Sequence, residues 1–342
     1  MNKHLFYIAA ACVALASCVK NEVRVNSPDK EITFQTVSTK AGAAFNKGNH
    51  FRSYAYFLEN DKNWGDNHAD ATAYIDNADI YYHTTLRYWA AADTYYWPKR
   101  GSLTFFAWTD DTADPKVGTG ANVSCPPNEG IKIENYSVKD NLNKDILVAE
   151  IAKDKKSNES VTGRDWTNGV PTVFRHALAK VEFKVNKRED YLNVKIIVKK
   201  ITLNKVSTKG TFTQGSPTES RKWSAQTEPE DLSVFTGDEE VTTTATILNP
   251  NATPGVKDYF IVLPQNFDAT STSTLTIEYE IITTSTSFKE TVIETKALNA
   301  IYTSNWECNK NYVLGITLGL NEIYWDPSVE AWEDNTVTGI EF

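Results

Sequence analysis

Short runs of alternating or β-branched residues recur along this chain and constrain its fold more than any other feature. They are bounded by Gly, Pro, Asn and Asp, while helix-period patterns are scarce. The clearest runs are residues 31–37, 51–58, 103–108, 181–185, 194–203, 241–248, 259–263, 275–282 and 312–318. Strands this short and this numerous predict an all-β protein built from sandwiches or barrels.

The length of the chain predicts two domains. About 324 of its 342 residues follow Cys18, more than one hydrophobic core usually holds. Residues 154–169 are rich in Lys, Ser, Asn, Asp and Gly, which is typical of an exposed connection. We therefore expect an N-terminal β-sandwich at 19–166 and a C-terminal β-sandwich at 167–342, with the boundary near Thr167.

The N-terminus has the form of a secretory signal. Residues 1–4 include a lysine, residues 5–16 are mostly small and apolar, and Leu15-Ala16-Ser17-Cys18 matches the bacterial lipoprotein box. This match predicts a signal peptide at 1–18, acylation of Cys18 and a lipid anchor in the outer membrane. Ordinary cleavage, with Cys18 present by chance, is the alternative. No later apolar run approaches the ~18 residues that span a bilayer.

The charge and the cysteine content argue against a nucleic-acid-binding protein and against a disulfide in the mature chain. The formal net charge is −9 and no basic run is present, which argues against nucleic acid as a partner. After the signal only Cys125 and Cys308 remain, in different halves of the chain, and we expect no disulfide between them.

The sequence offers no catalytic or metal-binding motif. His50, His68, His83 and His176 are scattered, so we expect no catalytic residue, no metal site and no cofactor. A structural role for His176, with its ring hydrogen-bonded to backbone, is favoured over a role as a base. The oxygen-rich loop at residues 61–70 lacks the spacing of a calcium loop, so a solvated loop is favoured over a Ca²⁺ site.

Aromatic residues crowd into the segment 89–108. They are Trp89, Tyr95, Tyr96, Trp97, Phe105, Phe106 and Trp108. Such residues stack on sugar rings in glycan-binding proteins, but in a β-sandwich most of them form the core. The alternation in 103–108 suits a strand buried on at least one face, which favours the core.

The tetrapeptide Tyr95-Tyr96-Trp97-Pro98, followed by Leu103-x-Phe105-x-Ala107, resembles the signature of the fimbrillin family, the pilins and accessory pilus subunits of Bacteroidales. Further matches follow in the order of the family at 51–56, 145–149, 174–181, 262–265 and 306–332. The resemblance implies two tandem transthyretin-like β-sandwich domains and a structural pilus subunit without a catalytic centre.

The resemblance also implies assembly by strand exchange, in which a strand of one subunit completes a sheet of the next. A protease removes an N-terminal strand, here residues 31–37, and opens the acceptor groove. Thr39-Lys40-Ala41 stands where Thr-Arg-Ala is common, so the cut falls at Lys40 or Arg52, or the subunit stays untrimmed as an anchor. The candidate donor residues are Ile323, Trp325, Val329, Trp332, Val337, Ile340 and Phe342. Their alternative role is the last strand of the second domain, paired in cis.

Two functions follow from these observations. The first is a lipid-anchored, fimbrillin-like structural subunit of a cell-surface fimbrium, involved in adhesion. Its partners would be other pilus subunits, the outer membrane through the lipid anchor, and a host or bacterial surface receptor. The second is a surface lipoprotein that binds glycans through aromatic residues. A stalk, tip or anchor position stays open.

Overall fold

The protein is almost entirely β, which confirms the predicted fold class. The computed structural model describes residues 31–36, 45–139, 144–156, 169–215, 221–248, 260–302 and 305–331. In these ranges the helices are single turns, namely α1 (Trp64–Asn67), a 3-10 helix (His68–Asp70) and α2 (Leu298–Ile301). Among the described residues, none of these helices has the length and apolar character needed to cross a membrane.

The described strands number twenty. The first eleven, in chain order, are β1 (Phe34–Thr36), β2 (Phe51–Leu58), β3 (Thr72–His83), β4 (Tyr88–Ala91), β5 (Ser102–Thr109), β6 (Asn122–Ser124), β7 (Lys132–Ser137), β8 (Leu147–Ala149), β9 (Ala152–Lys155), β10 (Val170–Thr172) and β11 (Phe174–His176). The remaining nine are β12 (Ala179–Lys187), β13 (Val194–Thr213), β14 (Lys222–Glu240), β15 (Thr246–Ile247), β16 (Phe260–Val262), β17 (Thr274–Thr283), β18 (Phe288–Ala297), β19 (Lys310–Leu318) and β20 (Ile323–Ala331).

These strands form three sheets within the described part of the chain. The N-terminal sheet has the order β10-β1-β4-β3-β2-β5-β8-β11, with β9 also on β5. The ribbon sheet has the order β18-β17-β13-β7-β6, with β14 also on β13. The C-terminal sheet has the order β15-β12-β19-β20, with β16 also on β12. The arrangement is that of packed β-sheets, as the short alternating runs predict.

The N-terminal sheet curls until its two ends meet. Strand β10 is the first in its order and β11 is the last, yet only Val173 separates them in the chain. Because one residue spans only about 3.3 Å, both ends of the sheet must lie side by side. The sheet therefore encloses an interior of its own.

Strand β5 is buried on both faces because this curled sheet packs against a second layer. Leu103 and Phe105 belong to a smaller core of 14 buried residues, which lies inside the N-terminal sheet. Phe106 and Trp108 belong to a larger core that takes buried side chains from all three sheets. The sequence predicts burial of 103–108 on at least one face, and the structure shows burial on both faces.

Strand β13, 20 residues long, joins the layers. It pairs with β14 along most of its length, with β17 over 194–204 and with β7 over 209–213. Its buried side chains occur at every second residue, except that the spacing is three residues between Val198 and Ile201 and again between Leu203 and Val206. Register shifts fall at these same places, so β-bulges return the apolar residues to the core face.

Strands from each half of the chain join sheets of the other half. Strands β6 and β7 precede residue 167 but pair into the ribbon sheet, and β10 and β11 follow it but pair into the N-terminal sheet. Residues 157–168 lie outside the described ranges. The division at Thr167 and the tandem transthyretin-like topology stay predictions.

Candidate functional site

Strand β1 fills a slot in the N-terminal sheet between β4 and β10. It runs antiparallel to β4, with Phe34 opposite Trp89, and parallel to β10 over three residue pairs. The Ile32 amide donates to the Tyr95 carbonyl at 2.7 Å, and the Val170 amide donates to the Thr33 carbonyl at 2.7 Å. The short N-terminal strand is thus hydrogen-bonded on both edges.

The side chains of β1 alternate between core and solvent. Ile32 and Phe34 are 2% and 3% exposed, whereas Gln35 is exposed. The Phe34 ring meets the rings of Phe51 and Phe105 edge to face, at centroid distances of 5.5 and 5.8 Å. The sequence folds this way because Ile-x-Phe places two large apolar groups on one face of a strand.

A glycine permits the close approach of β10 to β1. Gly169 has φ +110°, and a Cβ there would lie 2.6 Å from the Phe34 carbonyl carbon and 2.9 Å from the Gln35 nitrogen. A positive φ and a neighbouring backbone at this distance both require glycine.

We define the β1 slot as the edges of β4 and β10 together with the floor made by Phe51 and Phe105. Strand β10 has β1 as its only strand partner among the described residues. Removing residues 31–36 would therefore leave free N–H and C=O groups on both edges and an apolar floor below them. At about 3.3 Å per residue the opening would be about 20 Å long, enough for one short strand.

The two predicted cleavage residues differ in what the structure shows of them. Lys40 lies outside the described residues. Arg52 lies in β2 and is paired to β3 through Asp79 and to β5 through Trp108. Its guanidinium makes ion pairs with Asp79 at 3.8 Å and with Asp114 at 3.4 Å.

The predicted donor region is partly visible as β20, an edge strand of the C-terminal sheet. It pairs antiparallel with β19 through nine residue pairs, from Lys310↔Ala331 to Leu318↔Ile323. Ile323 and Trp325 are half-buried and Val329 is 49% exposed. These three residues therefore pair in cis. The other predicted donor residues, Trp332, Val337, Ile340 and Phe342, and the predicted lipidation residue Cys18 lie outside the described ranges.

The aromatic segment is mostly core. Trp89, Phe105, Phe106 and Trp108 are each at most 5% exposed. Tyr95 and Trp97 are half-buried, and Tyr96 is 44% exposed. The core interpretation is confirmed for the four buried rings, which are inaccessible to a sugar.

His176 is structural, but its partner is a carboxylate. Its Nδ1 contacts the buried Asp145 Oδ2, and Asp145 Oδ1 accepts from the Ile146 amide at 2.8 Å. The sequence did not predict this carboxylate contact, which arises because the strand pair β8 and β11 brings Asp145 alongside. Cys125 is buried and Cys308 half-buried, and both are free thiols.

The polar side chains of the oxygen-rich loop make local contacts, including the N-terminal cap of α1. Asn63 Oδ1 caps α1 by accepting from the Asp66 amide at 3.0 Å, and Asp70 pairs with Lys62 at 2.9 Å. Among the described residues, no group of three or more His, Cys, Asp or Glu side chains is placed to hold a metal ion.

Comparison with solved structures finds the same fold in proteins of Bacteroides. A fimbrial protein from Bacteroides vulgatus matches with a TM-score of 0.67 at 17% identity, over 89% of this chain and 100% of that chain. A proposed cell adhesion protein from Bacteroides uniformis matches with a TM-score of 0.50 at 15% identity, over 88% of this chain and 99% of that chain. At these identities the likeness shows the fold.

Comparison with curated proteins finds no significant match. The model of a protein family described as fimbrillin-like matches residues 37–332, which is most of the chain. The chain therefore belongs to the fimbrillin-like family.

Proposed function

We propose that this chain is a structural subunit of a cell-surface pilus, that it is anchored through lipidated Cys18, and that it joins its neighbours by strand exchange at the β1 slot. Other pilus subunits are its partners, and the assembled fibre serves adhesion. Family membership supports the pilus role. The observation that carries the exchange mechanism is the position of β1, a terminal strand held between β4 and β10.

Removing β1 creates a driving force for association. Full burial of an apolar side chain the size of Ile32 or Phe34 is worth about 1.5–3 kcal/mol, so an empty slot forfeits about 3–6 kcal/mol from these two residues. The unpaired edges of β4 and β10 add main-chain hydrogen bonds to what a new strand can recover. An occupied slot offers neither contribution, so the untrimmed precursor stays monomeric.

The end of the chain repeats the pattern of the strand that it would replace. Ile32-Thr33-Phe34 places an isoleucine and a phenylalanine on one strand face, and Ile340-Glu341-Phe342 has the same residue spacing in the sequence. Because the slot accepts alternate side chains, a donor must match this spacing. We therefore assign donation to the tail after β20, while β20 itself stays on β19.

Cleavage at Lys40 suits this mechanism better than cleavage at Arg52. Lys40 follows β1 and precedes β2 in the chain, so a cut there separates β1 from the rest. Proteases bind their substrates as extended segments, and both edges of the backbone at Arg52 are paired within the sheet. Cleavage at Arg52 would first require β2 to leave the sheet.

The proposal is tested with residues 19–342 carrying a sequence-specific protease site within 38–44. The intact protein should elute as a monomer in size-exclusion chromatography, and the cut protein should form a ladder of oligomers. Phe342→Ala should abolish the ladder, whereas Glu341→Ala, on the opposite face of the tail strand, should leave it unchanged.

One result would contradict the exchange mechanism. If the cut protein loses β1, as measured by mass spectrometry, and stays a folded monomer, the slot is no acceptor for a neighbour. The chain would then be a terminal subunit, for which processing at Lys40 has no role.

A further inference from the structure

A pocket of about 1010 Å³ lies where the three sheets meet. Its walls come from Glu150 between β8 and β9, from β11, from the start of β14, from the segment after β16 and from the segment before β19. Ligand pockets commonly have volumes of 300–1,000 Å³ and lie at junctions of this kind. None of its lining residues belongs to the β1 slot, so it is independent of strand exchange.

Arg221 lines this pocket and has no hydrogen-bond or ion-pair partner among the described residues, although it is half-buried. By contrast, Arg175 on the same wall pairs with Glu150, Nε to Oε1, at 2.9 Å. Burial lowers the pKa of Arg221. The nearby Cys308 and the Glu150 carboxylate act to raise this pKa, while the positive charge of Arg175 acts to lower it. Since arginine stays charged in proteins, Arg221 is a partly desolvated cation that makes no ion pair within the described part of the chain.

A second donor on the pocket wall also lacks an acceptor. Trp306 is 1% exposed, and its indole N–H finds no hydrogen-bond partner in the described structure. The indole N–H of Trp223, also in the wall, donates to the Ala177 carbonyl at 2.6 Å. A buried N–H without an acceptor is costly, but this one is fully buried, so a ligand could accept from it only after a small shift of the pocket wall.

The charges of the residues that line the pocket favour a ligand with a single negative charge. Its charged lining residues are Glu150, Arg175, Arg221, Lys222 and Glu307. Three cations and two anions leave a local excess of one positive charge in a chain whose net charge is −9. A phosphate dianion would be repelled by the two carboxylates, whereas a single carboxylate matches the excess. A carboxylate also fits the two-pronged geometry of a guanidinium.

The remaining lining suits a sugar ring. The half-buried indole of Trp223 offers an apolar surface, and the side-chain amides of Asn266 and Asn309 can both donate to and accept from hydroxyl groups. A peptide docks on a row of main-chain groups or in an apolar groove. Here the polar groups are side chains from five separate segments, which favours a polyhydroxylated ligand.

We propose that this pocket binds an acidic monosaccharide unit of a surface glycan, with its carboxylate on Arg221 and its ring against Trp223. The subunit would then recognise a glycan as well as take part in the fibre. Glycan binding at this pocket is a function beyond assembly, and it does not depend on strand exchange at the β1 slot.

Isothermal titration calorimetry of residues 19–342 with sodium D-glucuronate tests this proposal. D-glucose serves as the neutral control and N-acetylglycine as a carboxylate of the peptide type. Glucuronate should bind at least tenfold more tightly than either control. Equal binding of glucose would overturn the role of the carboxylate, and equal binding of N-acetylglycine would overturn the assignment of a sugar.

Variants test the role of Arg221. Arg221→Gln should weaken glucuronate binding at least tenfold, Arg221→Lys should retain part of the affinity, and Arg100→Gln, at an exposed arginine outside the pocket, should bind like the parent. Because Arg221 makes no hydrogen bond or ion pair with the residues that the structure describes, Arg221→Gln should have an unchanged or higher Tm. A lower Tm together with unchanged glucuronate affinity would show a structural role and overturn the proposal.

Discussion

Replacing Phe34 with alanine should weaken the docking of β1 between β4 and β10. The ring is 3% exposed and makes edge-to-face contacts with Phe51 and Phe105. Truncating a buried phenylalanine costs about 3–5 kcal/mol, partly through the cavity that it leaves. Strand β4 flanks the site and is also paired with β3, which limits how far it can move to close the cavity. We therefore expect the full range to apply to the docking of β1.

Native-state hydrogen exchange measures this loss at the slot itself. The Val170 amide is bonded to the Thr33 carbonyl at 2.7 Å, so it exchanges when β1 leaves. At 1.36 kcal/mol per factor of ten, the protection of Val170 should fall by about 10²- to 5 × 10³-fold in Phe34→Ala. Gln35→Ala, which alters an exposed side chain on the same strand, should change this protection by less than about threefold.

The reasoning would be refuted by unchanged protection of Val170 in Phe34→Ala. The same holds if Gln35→Ala lowers the protection as much as Phe34→Ala does. Either result would mean that burial of the Phe34 ring does not hold β1 between its neighbours, and the slot would have no energetic basis.

Three further predictions concern the core, the glycine and the thiol. Phe105→Ala should lower the free energy of unfolding in urea by about 3–5 kcal/mol, and a loss below about 1 kcal/mol would place this ring at the surface and revive the sugar-platform interpretation. Gly169→Ala should speed exchange of the Val170 amide in the intact protein, because the added Cβ would collide with the backbone of Phe34; equal exchange rates would contradict the close approach. Burial raises the pKa of Cys308 to about 11, so the reactive thiolate is scarce below that pH and accumulates as the pH rises toward it. Iodoacetamide should therefore alkylate Cys308 at pH 8 on the order of a hundredfold more slowly than a solvated cysteine, and alkylation at the solvated rate would contradict this burial.

The sequence predicts the strands whose alternation is uninterrupted. The run 51–58 coincides with β2, and 103–108 and 275–282 fall one residue short of β5 and β17 at each end. Strand β13 continues ten residues past its predicted end, because Asn204 and Lys205 break the alternation and a bulge restores it. Strand β18 has no apolar face, since it is exposed along most of its length and owes its form to pairing with β17. Only Thr246–Ile247 of the run 241–248 is a strand.

The candidate site was predictable only in part. Ile32 and Phe34 mark β1 by their spacing, but its neighbour β10 contains Pro171, which argues against a strand in any local pattern. Proline is tolerated there because β10 lies at the end of the sheet order. Arg221 carries no motif, and its pocket joins segments between residues 150 and 309. The β1 slot and the Arg221 pocket both form where strands distant in sequence come together, and the local periodicity of the sequence does not encode these pairings.

A structure of the assembled fibre tests the central claim most directly. Strand exchange predicts that the segment between β4 and β10 of each subunit is the tail of its neighbour, with Ile340 and Phe342 in the positions of Ile32 and Phe34. A fibre in which each subunit keeps its own β1 in the slot, and touches its neighbours elsewhere, would contradict the account.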